Sequence, residues 1–97
     1  MASVTGAQVG CPVRTSTLQK VAQLPAGYRL TDVECWHGWA SAGEIASSPD
    51  RQGDGLIVFR YTAGRGWRKW GEGSALNCDE MGIKKIPGDP PPFCAFP

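Results

Sequence analysis

Four cysteines, Cys11, Cys35, Cys78 and Cys94, constrain this chain more than any other feature. A zinc site needs ligands that chelate locally, usually two cysteines a few residues apart. Here even the closest two, Cys78 and Cys94, are widely separated, and His37 is the only histidine. Structural disulfides of an oxidising compartment are therefore expected, with no metal and no cofactor. Four cysteines allow three pairings, and spacing alone does not choose among them. The pairing expected here is Cys11–Cys35 with Cys78–Cys94. The second bridge would close a loop of about 15 residues, worth about 3 kcal/mol by loop entropy.

Crosslinks of that size matter because the chain is short. At 97 residues there is room for one domain, and folding buries only about 60–65% of the surface that an unfolded chain this size exposes. Hydrophobic residues make up 41% and charged residues 20%, a globular balance, and the net charge is +1. A charge so near zero gives no steering toward nucleic acid or an anionic membrane. No apolar run approaches the ~20 residues of a membrane span. Nor does the chain begin with a basic stretch followed by an apolar run, so it reads as the mature form of an exported protein. Residues 1–10 are small and polar, resemble a phage-derived expression tag and are expected to be a flexible arm; the domain is residues 11–97.

The 13 glycines and 8 prolines imply many turns and little long regular structure. Ser16 and Gln19 fit a capping box, and Leu18, Val21 and Ala22 fall on one face of a short helix that Pro25 ends. From Tyr28 to about Ser47 the pattern predicts a strand, broken or bulged near Gly38. Simple alternation there puts Cys35, His37 and Trp39 on one side, and Trp36, Gly38, Ala40 and Ala42 on the other. Residues 48–55 read as a polar loop. Leu56 to Thr62 is the clearest strand, and Ala63-Gly64-Arg65-Gly66 turns it back into Trp67-Arg68-Lys69-Trp70. Residues 73–80 suit a brief helical turn around Cys78. The tail from Ile83, rich in proline, should run extended to its tether at Cys94. The expected fold is α+β: one N-terminal helix packed on a three-stranded antiparallel sheet, with a disulfide-tied C-terminal loop.

Catalytic signals are weak. No nucleophile turn accompanies His37. Asp32 and Glu34 share a strand face in this reading, and Asp79 and Glu80 are adjacent, but such pairs are ordinarily a solvated edge. Asp50 to Asp54 lacks the ligand spacing of a calcium loop and reads as a turn. The glycines near the second hairpin have no lysine and no strand-to-helix context for phosphate. No enzymatic site is expected.

Binding signals are stronger. Trp36, Trp39, Trp67 and Trp70 are a heavy aromatic load for this size, and alternation puts the members of each pair on opposite faces. Half should be core; the rest, Trp67 or Trp70 with Tyr61, Arg60, Arg68 and Lys69 nearby, can form a contact surface. The tail around Pro91, Pro92 and Phe93 has two readings. It is either a strap over the sheet or a rigid, exposed, substrate-like segment of the kind protease inhibitors preorganise.

Cys35, Gly38-Trp39-Ala40-Ser41-Ala42, Gly64-Arg65-Gly66-Trp67, and Cys78 through Ile86-Pro87 to Cys94 together form a pattern. On these residues the chain resembles a class of small secreted proteins from high-GC bacteria, mostly without assigned function. The resemblance spans roughly residues 11–94. It implies export, the cysteine pairing and the fold, and it brings no active site. The expected function is a secreted, non-enzymatic module that binds another extracellular protein, with an inhibitor of an extracellular hydrolase as one candidate form. A polysaccharide or cell-envelope binder using exposed tryptophan is the alternative, and a small hydrolase built on His37 the third reading.

Overall fold

The computed structural model of the chain describes residues 10–46 and 55–97. Most of the expected N-terminal arm and of the polar loop, including Asp50 and Asp54, lies outside them.

Helix α1 spans Thr15–Ala22, with Leu18 and Ala22 buried and Gln23 closing it in the left-handed region at φ 53°. The capping box does not form: Arg14 is the N-cap residue and gives no side-chain cap. Ser16 lies inside the first turn, and the Gln19 Oε1 instead accepts the backbone N–H of Leu30 at 3.3 Å. The Gln19 side chain therefore joins the helix to the sheet.

The sheet has four strands, not three: β1 Arg29–Trp36, β2 Trp39–Ile45, β3 Leu56–Thr62 and β4 Gly66–Gly73, antiparallel in that order. The long strand expected from Tyr28 folds at His37-Gly38 into a hairpin. Both residues have positive φ, 44° and 81°, the requirement of a two-residue type I′ turn. Glycine adopts that region without cost, and histidine visits it more readily than most residues. The turn resets the alternation. Trp36 pairs directly with Trp39, and Cys35 with Ala40, so Trp36 and Trp39 share a face rather than opposing each other.

Two bulges reset it again. The β1–β2 register shifts between Thr31 and Glu34, with Asp32 at φ 53°, so strict alternation no longer places Asp32 and Glu34 on one face. On β4, Lys69 pairs with Phe59 and Gly71 with Val58, leaving Trp70 as the extra residue. That bulge lets Lys69 and Glu72, three apart on a strand, meet on one side at 2.8 Å.

Each sheet face carries a core. On the helix side Leu18, Ala22, Leu30, Ala40, Ala42, Ile57 and Phe59 pack together, and the helix comes nearest to the edge strands β1 and β4. On the other side Trp36, Trp39 and Val58 meet Cys78, Met81, Ile83 and Phe93. The C-terminal segment is thus a third layer. Its helical turn starts at Asn77, whose Oδ1 accepts the Asp79 N–H at 2.8 Å, and ends as the Ile83 N–H reaches the Cys78 carbonyl at 3.0 Å. The chain then returns so that the Cys78 N–H bonds to the Ala95 carbonyl at 3.0 Å. Both expected disulfides are present, Cys11–Cys35 and Cys78–Cys94, with Cα separations of 5.7 and 5.2 Å.

Among the described residues no helix is long and apolar enough to cross a membrane.

Candidate functional site

One cross-strand row runs over all four strands on the face that carries the C-terminal layer. Trp36 pairs with Trp39, Trp39 with Arg60, and Arg60 with Arg68. Its β1–β2 half is covered: Trp36 and Trp39 are each 5% exposed, under Phe93. Its β3–β4 half is open, since Arg60 and Arg68 are exposed. The Arg60 guanidinium lies 4.6 Å from the centre of the Trp39 ring, a cation–π contact that fixes a long side chain in place. Trp70, carried outward by the bulge, packs edge-on against Trp39 at 5.8 Å and 71° and keeps 44% exposure. Among the described residues the ion pairs are His37–Asp89 and Lys69–Glu72. Arg60 and Arg68 belong to neither.

The residues singled out from sequence divide three ways. Trp70 and Arg68 come together on the open half-row, joined by Arg60. Tyr61 and Trp67 pair on the opposite face at 5.5 Å, where Trp67 packs against the helix-side core. Gly10 lies directly on them: a Cβ there would stand 2.9 Å from Trp67 Cζ2 and 3.1 Å from Tyr61 Cγ. Gly10 covers part of these rings. In the tail, Pro92 is exposed, but Pro91 is buried and Phe93 is 4% exposed. The segment from Pro91 to Phe93 is a strap over the sheet, and a protruding substrate-like loop does not occur there.

A second polar group joins the β1–β2 hairpin tip to the tail. Ile86-Pro87-Gly88-Asp89 forms a turn closed by the Asp89 N–H on the Ile86 carbonyl at 3.0 Å, with Gly88 at φ 79°; proline second and glycine third are the type II preference. The turn aims Asp89 at the hairpin. The Trp36 Nε1–H donates to the Asp89 carbonyl and to its Oδ1, both at 3.2 Å, and His37 Nε2 lies 2.6 Å from Oδ2. The hydrogen bond from His37 holds the Asp89 carboxyl below the usual carboxylate range against the desolvation that opposes it, and the Trp36 N–H acts in the same direction. A carboxylate only accepts, so Nε2 carries the hydrogen. Sequence spacing gave no sign of this clasp, because its members are more than fifty residues apart.

An imidazole oriented by a carboxylate is part of a hydrolytic triad, but all four cysteines are crosslinked and supply no thiol nucleophile. Among the described residues no group of His, Cys, Asp and Glu is arranged to hold a metal ion.

No family model, curated protein or solved structure matches the chain. The functional reading therefore rests on the geometry.

Proposed function

We propose that the chain is a secreted, non-enzymatic protein-binding module whose contact surface is Trp70 with Arg60 and Arg68. The observation that carries this reading is Trp70 itself, 44% exposed on a bulge and braced against the buried Trp39. Tryptophan and arginine are the residues in which protein–protein binding energy concentrates. Trp70 and Arg60 are already held against Trp39, so little ordering cost remains for these two on association. The two disulfides are compatible with an extracellular protein. Inhibition of an extracellular hydrolase by this module would proceed through the β4 face, since Pro91 and Phe93 are buried.

A polysaccharide binder is less well supported. An extended platform of coplanar rings is not formed, since Trp39 and Trp70 stand at 71° and Arg60 already occupies the Trp39 ring.

The test is capture from culture medium on the oxidised protein beside its Trp70→Ala variant. A partner held by the wild type and lost by a variant that remains folded at the capture temperature supports the reading. Equal capture by both, or retention on insoluble polysaccharide that Trp70→Ala abolishes, refutes it.

A further inference from the structure

We infer that Arg60 and Arg68 form an anion-reading pair that takes carboxylate side chains from an acidic segment of the partner protein; this rests on the contact surface proposed above. Residues directly opposite on antiparallel strands have Cβ atoms about 5 Å apart, and like charges so placed destabilise a sheet. Arg60 and Arg68 occupy such a pair of positions. The fold gains nothing visible from the juxtaposition. Lys69, the neighbouring cation, is treated differently, neutralised by Glu72 at 2.8 Å on the other side of the strand. On a chain of net charge +1, unpaired positive charge on β4 is thus gathered onto the face that carries Trp70.

The geometry suits a carboxylate. Guanidinium presents its donors in a planar fork that matches a carboxylate in bidentate fashion. Arg60 is held by the Trp39 ring, so its fork is placed before a ligand arrives. Beside Trp70, Gly71 faces open space, where an added Cβ would meet nothing within 4 Å. A partner backbone can therefore come close to the strand while its acidic side chain meets the arginines and its apolar neighbour meets the indole. Two guanidiniums and one free indole suit a short acidic segment. A long polyanion would call for a longer run of cations.

The test is a titration of the 15N-labelled oxidised protein with hexaglutamate, with hexaglutamine and hexagalacturonate as comparators. Saturable shifts of the Arg60 and Arg68 Nε–H and Trp70 Nε1–H signals with hexaglutamate, absent with hexaglutamine, are expected. Arg68→Gln should weaken this binding by about tenfold or more while its melting temperature equals or exceeds that of the wild type. Absence of a saturable shift, shifts centred away from Arg60, Arg68 and Trp70, unchanged affinity in Arg68→Gln, or tighter binding of hexagalacturonate would each overturn the inference. The captured partner separates the two levels. If Trp70→Ala loses it and Arg68→Gln keeps it, the contact surface stands and the anion pair falls. If both variants keep it, both readings fall.

Discussion

Trp36 and Asp89 are joined twice, the indole N–H donating to both the backbone carbonyl and the carboxylate of a residue far along the chain. Trp36 is buried against Phe93, so its single donor has to be met within the protein. Asp89 meets it and at the same time takes the hydrogen of His37. One carboxylate therefore holds the tail turn to the β1–β2 hairpin tip.

This clasp is pH-dependent in a definite direction. The folded-state carboxyl of Asp89 is depressed, so its contribution is present above the ordinary aspartate value and is lost as pH falls through the lower, folded value. Asp89→Asn should be less stable than the wild type at neutral pH, and the gap should close only below about pH 4. Urea midpoints of both proteins across the acid range measure it.

The hairpin at His37-Gly38 is a backbone requirement and not a packing one. An added Cβ at Gly38 would find its nearest neighbour, the Tyr61 carbonyl oxygen, at 4.0 Å, so space is available; the positive φ of 81° is not. Gly38→Ala is expected to cost about 1 kcal/mol or more through strain alone, read from chemical denaturation.

Phe93 and Trp70 should lose stability unequally on truncation. Phe93 is buried among Trp36, Trp39 and the C-terminal layer, and Phe93→Ala is expected to cost about 3–5 kcal/mol. Trp70→Ala should cost about 1 kcal/mol, chiefly the edge contact with Trp39. Thermal unfolding of the two variants decides the order.

The Cys78–Cys94 bridge pins the whole third layer. Replacing both cysteines with serine should cost about 3 kcal/mol from the loop-entropy term and expose the Trp36–Trp39 side of the sheet. Denaturant midpoints and tryptophan emission report both effects.

Much of this fold is legible in the residues. Leu56 to Thr62 alternates as a strand should, the alanines of β2 mark the helix-facing side, and widely spaced cysteines exclude chelation. What misleads is alternation carried through irregular points. His37-Gly38 looks like an interruption in one strand because histidine is not a usual turn marker, and missing it both loses a strand and separates Trp36 from Trp39. The bulges at Asp32 and Trp70 carry no distinctive signature either. The candidate surface is half legible: Trp70, Arg60 and Arg68 stand out together by type, but separating them from Tyr61, Trp67 and Lys69 on the other face needs the β3–β4 register. Phe93 illustrates the opposite error. A proline-rich run suggests exposure, yet an aromatic residue one position before a disulfide cysteine is drawn inward by the crosslink and the apolar face beneath it.

Radical footprinting of the four tryptophans, free and with the captured partner, addresses the surface most directly. Trp70 should label fastest in the free protein, Trp36 and Trp39 should be protected, and the partner should suppress labelling at Trp70. Rapid labelling of Trp36 or Trp39, or a Trp70 signal indifferent to the partner, would contradict the account.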